Sequence, residues 1–310
     1  MAKKLLFTLI FLLVIGIGSF FYLIPSDTNT ITGNTIRIIE EQTENTKDFI
    51  EETKEEFFED GEDEEEQEKD DDKEEKEVID EPEPNSQNIK IANFNAQIFG
   101  DSKWGKLGSS FFVPLIEDYD IFFLQEIRDK DGSSFNTLCS SLEDYDCQIS
   151  QRAGQSTSKE QYGVIYKKSI EATLTDYTSE YQDEVQRPPL KVEFLIDDYE
   201  LTAWNYHTSP DSVEEDINLL ENLVEDSGNV LIIGDFNLDC SYDDGKAGDF
   251  VDWNYLIEDG EDTTVSQTDC AYDRIIINDD MNEEYVDDGI YTEITKEQSD
   301  HYLVWVEIEL

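Results

Sequence analysis

Positive charge is scarce in this chain of 310 residues: 22 Lys and Arg stand against 76 Asp and Glu, a formal net charge of −54. The basic patch that usually marks a nucleic-acid binder is missing. At low salt such a surface repels polyanions. Added salt or divalent cations reduce the repulsion, since the Debye length shrinks to roughly 3 Å at 1 M. The same acidic excess suits a protein kept soluble in brine. Two regions share it: residues 40–84 hold 25 acidic residues against 5 lysines, and residues 85–310 hold 50 against 14 basic ones.

Histidine and cysteine are also few. There are two histidines, His207 and His301, so any imidazole chemistry must use them. The four cysteines, Cys139, Cys147, Cys240 and Cys270, contain no C-x₂-C pair, which argues against a Cys₄ zinc site. In an oxidising compartment four cysteines allow three pairings. Local spacing favours Cys139–Cys147, which leaves Cys240 with Cys270; free buried thiols are the alternative.

Residues 5–24, LLFTLIFLLVIGIGSFFYLI, carry no charge. As a helix this run is about 30 Å long, the thickness of a hydrocarbon core. No A-x-A cleavage pattern follows it. Lys3 and Lys4 precede the run and acidic residues follow, which orients the N-terminus to the cytoplasm. Residues 1–25 are therefore expected to be a signal anchor, with the remainder outside the cell membrane; a cleaved signal and a secreted protein are the alternative. Residues 26–88 have too little apolar area and too much like charge to fold, and read as an extended, disordered linker. Within it, residues 36–58 fit a short amphipathic helix.

From residue 89 onward apolar, β-branched runs recur between turn signals. KIANFNA, DIFFLQEI, YGVIYKK, LKVEFLID, LTAWNYHT, VLIIGDFN, DRIIIN and LVWVEIEL all read as strands. Ser212 to Asp226 reads as a helix, with Val213, Ile217, Leu220 and Val224 on one stripe and Ser212 and Glu215 as a capping box. Many strands with fewer helices predict an α/β (α+β) sandwich of mixed sheets. Asn95, Glu126, His207, Asp235 and Asn237 end strands, while Asp273 and His301 precede them. Strands of opposite direction can bring all seven to one edge of the sandwich.

Carboxylates beside amide oxygens suit a hard cation such as Mg²⁺, Mn²⁺ or Ca²⁺. Two imidazoles beside a hydrated metal suit general acid and base work on a phosphodiester. Glu160 and Asp273 are the candidates to orient them.

The stretches IKIANFNAQIFG, DIFFLQEIRD, LTAWNYHTSPDSVEEDI, GDFNLDCSY, TTVSQTDCAYDRI and SDHYLVWVEI together resemble the deoxyribonuclease I branch of the endonuclease/exonuclease/phosphatase superfamily. They cover nearly all of residues 88–310 in the family's order. The resemblance implies a four-layer sandwich of two packed mixed β-sheets flanked by helices, acting on DNA as a monomer with no obligate protein partner. It implies that Glu126 ligates the catalytic Mg²⁺ or Mn²⁺, with Asn95, Asp235 and Asp300 nearby. Asn237 and Arg187 would contact the phosphate, and Arg128 would enter the minor groove. His207 would be held by Glu160 and act as acid; His301 would be held by Asp273 and act as base. Asp262 and Thr264 match a structural Ca²⁺ loop, and Cys240–Cys270 matches the family's main disulfide. Ser158 departs from the tyrosine that the family often has there.

Two other functions compete with a deoxyribonuclease. One is a phosphodiesterase of the same superfamily acting on lipid or inositol phosphates, of the sphingomyelinase kind, which a membrane anchor favours. The other is a non-enzymatic adhesion or cation-buffering protein, in which the acidic surface is itself the function.

Overall fold

A computed structural model describes residues 87–155, 158–242 and 250–310. The expected anchor, almost all of the acidic linker and the helix at 36–58 lie outside the described residues. Among the described residues no helix is long and apolar enough to cross a membrane.

Continuous apolar runs in the sequence become strands buried on both faces, as central strands of a covered sheet must be. Strand β1 (Asn88–Phe99) shows the pattern. Ile89 and Ile91 face one hydrophobic cluster, and Ala92 and Phe94 face another. Helices α1 (Asp101–Leu107) and α2 (Ser109–Glu117) follow, then β2 (Ile121–Ile127), α3 (Ser133–Cys139), β3 (Tyr145–Ile149) and β4 (Gln161–Lys167). Strand β5 (Ile170–Asp176), the single turn α4 (Thr178–Tyr181), β6 (Leu190–Ile196), β7 (Tyr199–His207) and α5 (Val213–Leu223) come next. The chain ends with β8 (Asn229–Asp235), β9 (Asn254–Tyr255), β10 (Asp273–Ile277), a 3₁₀ turn (Asp279–Asn282), β11 (Tyr285–Tyr291) and β12 (Leu303–Glu309).

The strands form two six-stranded mixed sheets, ordered β11-β12-β1-β2-β4-β3 and β5-β6-β7-β8-β10-β9. Three apolar clusters separate four layers. One fills the space between the sheets, with Ile91, Phe123, Val192 and Ile233 among its members. A second packs α2 and α3 on the first sheet through Phe112, Ile116, Phe135 and Leu138. The third seats α5 on the second sheet through Val213, Ile217 and Leu220. The expected sandwich is thus present.

Several local expectations are corrected. Helix α5 stops at Leu223, and Val224 is already extended. The capping box does not form: Ser212 makes no side-chain cap, and its hydroxyl instead faces Asp216 Oδ1 at 3.4 Å. Burying Asp216 against the Ser209 amide competes with the cap. Strand β8 ends at Asp235, so Phe236 and Asn237 of the predicted strand lie in the following loop. Strands β3, β5, β9 and β11 went unread. Beside a well-patterned strand such as β2, β11 (YVDDGIY) is largely exposed at a sheet edge and lacks an apolar face.

Both expected disulfides are formed and no described cysteine is free. Cys139–Cys147 ties the end of α3 to β3. Cys240–Cys270 spans 30 residues and joins the loop after β8 to the segment before β10. Replacing Cys240 and Cys270 by serine should cost roughly 3–4 kcal/mol in the chain-entropy model. Urea titration of the double variant checks this, and a loss below about 1 kcal/mol would show that the loop is held by other contacts.

Candidate active site

Successive side chains of a strand alternate faces. Once Ile89 and Ile91 face the inter-sheet core, Asn93 and Asn95 must follow them on the same row. The same switch from apolar to polar occurs in β2 (Ile121, Phe123, then Gln125) and β7 (Leu201, Ala203, then Asn205 and His207). It recurs in β8 (Leu231, Ile233, then Asp235). Strand β10 runs the other way and begins with Asp273 before Ile275 and Ile277.

The first polar level is an amide layer of Asn93, Gln125 and Asn205, all fully buried. Asn205 Nδ2 donates to Asn93 Oδ1 at 2.8 Å and to the Ile233 carbonyl at 2.9 Å. Gln125 Nε2 donates to Asn205 Oδ1 at 3.2 Å and the Tyr206 carbonyl at 2.8 Å, and Gln125 Oε1 accepts from the Asp235 amide at 3.1 Å. These bonds join β1 and β2 of one sheet to β7 and β8 of the other. The sequence reading missed all three residues, although the period-2 row that ends in His207 also passes through Asn205.

Above this layer stand the predicted residues. His207 pairs in register with Asp235, and Asp235 with Asp273, across three adjacent strands. Each imidazole has its own carboxylate: His207 Nδ1 lies 2.6 Å from Glu160 Oε1, and His301 Nδ1 lies 2.7 Å from Asp273 Oδ2. Their Nε2 atoms converge on one oxygen, Asp235 Oδ2, at 3.3 and 3.4 Å. Asn95 Nδ2 donates to that same oxygen at 2.9 Å, so the Asn95 amide oxygen turns to the Gln97 N–H. Asn237 Nδ2 donates to the Thr208 carbonyl at 3.1 Å beside this cluster.

The segment carrying His301 is fixed by residues that sequence reasoning passed over. Ser299 Oγ donates to the Asn95 carbonyl at 2.6 Å and accepts from the His301 amide at 3.1 Å. The Val265 amide donates to the Asp300 carbonyl, and Thr264 bridges His301 along the backbone. Asp262 Oδ1 accepts from the Thr264 amide and hydroxyl, each at 3.0 Å. The predicted calcium loop thus braces His301. Among the described residues it gathers no cluster of acidic ligands.

Glu160 is the electrostatic hub. Arg128 lies 3.4 Å from its Oε2 and Arg187 lies 3.3 Å from its Oε1. Burial opposes its ionisation, but His207, Arg187 and Arg128 outweigh burial and hold its carboxyl at about 2. Arg187 also donates to the His207 carbonyl at 2.9 Å and to that of Thr208, so it clamps the end of β7. For His301, burial works against the charged ring, yet Asp273, Asp235 and Asp300 overcome it and favour the imidazolium.

Glu126 Oε2 accepts from the Ile98 amide at 2.9 Å and faces Arg128 at 3.2 Å. Lys103 donates to the carbonyls of Ala96 and Gln298. Burial lowers its pKa against the opposing pull of Asp300 and Glu126. Their all-oxygen donor set fits a hard divalent cation. Glu126, Glu160 and His207 also group closely enough to hold an ion; the other such group among the described residues, Asp239 with Cys240 and Cys270, has its sulfurs in the disulfide.

Backbone strain gathers at this edge. Gln97, Ile98, Glu126 and Asn237 all have positive φ, a conformation that costs a non-glycine residue roughly 1–2 kcal/mol. Gly234 shows the tightest approach: a Cβ there would lie 2.0 Å from the Tyr206 carbonyl oxygen and 2.8 Å from Gln125 Nε2.

Gly234→Ala should therefore destabilise by about 3 kcal/mol, the upper end for overpacking, and shift Asp235; thermal melts against wild type check it. Glu160→Gln should also destabilise at pH 7. The folded pKa of Glu160 is depressed below its ordinary 4.5, so its stabilisation is present above that value and lost as pH falls towards about 2. The stability gap between wild type and variant should thus narrow over that interval, read by urea midpoints at several pH values; a constant gap would contradict the assignment.

Comparison with known proteins agrees with this architecture. The model of the Endonuclease/Exonuclease/phosphatase family matches residues 92–301. Deoxyribonuclease-1 of Gallus gallus is 33% identical over 220 residues, covering 61% of this chain and 76% of that protein. Deoxyribonuclease-1-like 2 of Mus musculus is 30% identical over 214 residues, with the same coverage of each. A solved endonuclease/exonuclease/phosphatase from Bacteroides vulgatus superposes with a TM-score of 0.53 at 18% identity, over 72% of this chain and 99% of that one. The chain belongs to the endonuclease/exonuclease/phosphatase family.

Proposed function

We propose that this protein is a metal-dependent endodeoxyribonuclease, held at the cell membrane by its N-terminal segment with the catalytic domain outside, or secreted if that segment is cleaved. One observation carries the reading: two imidazoles, each held at Nδ1 by its own carboxylate, aim Nε2 at a single point beside Asp235. A phosphodiester seated there meets one ring that takes a proton from water and another that gives a proton to the leaving 3′-oxygen. Asp273, Asp235 and Asp300 around His301 stabilise positive charge on its ring, the charge it would carry after taking a proton as the base that the resemblance implies. Glu160 and Asp273 keep the rings oriented, and Asn237, one of whose amide N–H groups serves the Thr208 carbonyl, would donate the other to a phosphate oxygen. Glu126 and Asp300, with Asn95 beside them, would hold the Mg²⁺ or Mn²⁺. Such an ion, when bound, supplies positive charge to the phosphate oxygens. A structural Ca²⁺ at the Asp262–Thr264 loop belongs to the same reading.

The choice of DNA rests on the deoxyribonuclease relatives. The domain is acidic, yet Arg128, Arg152, Lys159 and Arg187 gather at this edge. Arg152 bonds the carbonyls of Asp129 and Lys159, both at 2.7 Å. Arg128 and Arg187 are already matched to Glu160, so a polyanion would meet these cations only once salt or a divalent ion screens the neighbouring carboxylates.

Single-turnover nicking of supercoiled plasmid, with sphingomyelin as the competing substrate, tests the proposal. His207→Ala and His301→Ala should each lower nicking by about 10²–10⁴-fold with the fold intact by circular dichroism. The double variant should be little worse than the worse single one, because groups acting as a unit are not additive. EDTA should abolish activity. Retention by His207→Ala of more than about a tenth of the wild-type rate would overturn the assignment, and turnover of sphingomyelin alone would move the substrate to lipid.

A further inference from the structure

His301 stands before β12 begins, on a stretch of chain outside the sheet ladder. Strands β1 and β12 pair from Asn88 with Glu309 to Asn93 with Val304, and their ladder goes no further. Beyond that point residues 298–301 carry Asp300 and His301 into the site, while β1 breaks register. Asn95 pairs with Gln125 and Phe99 with Ile127, so residues 96–98 of β1 oppose Glu126 alone. Such a bulge re-aims side chains and often adjoins active sites. The Ile98 amide in this bulge holds Glu126. Glu126 and His301 thus depend on two irregular segments whose separation no bond of the β1–β12 ladder fixes.

Side chains supply the missing join. Ser299 Oγ donates to the Asn95 carbonyl at 2.6 Å. Lys103 spans more: its ammonium donates to the Ala96 carbonyl at 2.5 Å, inside the bulge, and to the Gln298 carbonyl at 2.7 Å, at the head of the His301 segment. Both partners are backbone carbonyls, so these bonds fix the course of the chain rather than one rotamer. Helix α1 gives the lysine its reach. That helix has seven residues, none buried, and no side-chain N-cap. A helix so short is marginal unless tertiary contacts seat it. Trp104 does so, with its ring centroid 6.4 Å from that of Phe99 and 6.1 Å from that of Phe112, and thereby anchors its neighbour Lys103. Burial works against the charge on Lys103, and Asp300 and Glu126 support it.

We propose that Lys103 is a positioning residue for His301: by clamping the β1 bulge to residues 298–301, it sets where the imidazole stands relative to Glu126 and Asp235. The proposal rests on the nuclease reading above for the reaction that His301 performs. It adds a residue that neither touches substrate nor holds the ion. Its contribution is to kcat, because an imidazole displaced from the reacting atoms slows the chemical step while substrate still binds.

The scarcity of histidine makes the test direct. A proton–carbon correlation spectrum of the imidazoles holds one Cε1–H signal for each of the two histidines, assigned by His207→Ala and His301→Ala. It is recorded on the full-length protein in EDTA, so that no bound ion contributes. Lys103→Met keeps an unbranched stem but cannot donate to either carbonyl. It should move the His301 signal and leave that of His207 in place, with circular dichroism unchanged. In Mg²⁺ its kcat for plasmid nicking should fall by about 10²-fold, the cost of a reacting group misplaced by about 1 Å, with KM unchanged. Lys103→Arg, which keeps the charge and can serve both carbonyls, should recover most of kcat. A His301 signal that stays in place in Lys103→Met would overturn the proposal. So would equal movement of both histidine signals, which marks general loosening, or a Lys103→Arg protein as slow as Lys103→Met. Wild-type protein that does not nick plasmid would remove the nuclease reading and leave the imidazole signals to decide on Lys103. Active wild type whose His301 signal and kcat are untouched by Lys103→Met removes the role of Lys103 alone.

Discussion

The site depends on the buried amide layer of Asn93, Gln125 and Asn205. A sandwich of two sheets is held by apolar contact, which is non-directional and tolerates sliding. Hydrogen bonds between buried amides do not, because an unpaired one costs about 1–3 kcal/mol. By joining β1 and β2 to β7 and β8, this layer fixes one sheet against the other at the edge where their polar residues meet. Gly234 is part of the same constraint, since any side chain there would strike both Gln125 and the backbone beside His207. Asp235 takes its amide bond from Gln125, so the layer also sets the carboxylate on which both imidazoles converge.

Charge then acts on a scaffold already in place. The edge concentrates carboxylates that repel each other, and each is matched locally: Glu160 by His207 and two arginines, Asp273 by His301, Glu126 by Arg128 and the Ile98 amide. Removing His301 would leave the buried Asp273 without its cationic partner, which is more damaging than removing the pair. The left-handed residues around this edge fit the same account. Strain of this kind persists where surrounding structure over-determines it.

Much of this was legible in the sequence. Long apolar runs placed the ends of β7 at His207 and β8 at Asp235, and that of β2 within one residue of Glu126, although β1 runs on past Asn95 to Phe99; the rarity of histidine singled out His207 and His301. The inter-sheet amides were hidden because Gln125 and Asn205 sit inside runs that read as apolar strands, where an amide looks like an interruption. The edge strand β11 was hidden for the opposite reason: Asp287 and Asp288 give it no apolar periodicity, although such charges guard an exposed sheet edge against pairing with another chain. The capping box at Ser212 failed because Asp216, one residue beyond Glu215, is drawn into the protein by the Ser209 amide. A local motif lost to a tertiary contact that no window of sequence displays.

The in-register row of His207, Asp235 and Asp273 bears on how such a protein can change over evolutionary time. Neighbouring strands stand about 4.8 Å apart and side chains alternate along them. Spacing within this row is therefore quantised. Inserting or deleting a single residue in β7, β8 or β10 would not widen the site slightly but turn His207, Asp235 or Asp273 to the opposite face of its sheet. Variation is thereby channelled away from this row and into the surrounding loops, where length can drift freely. The surroundings of the site can be remodelled there while the row itself is inherited whole.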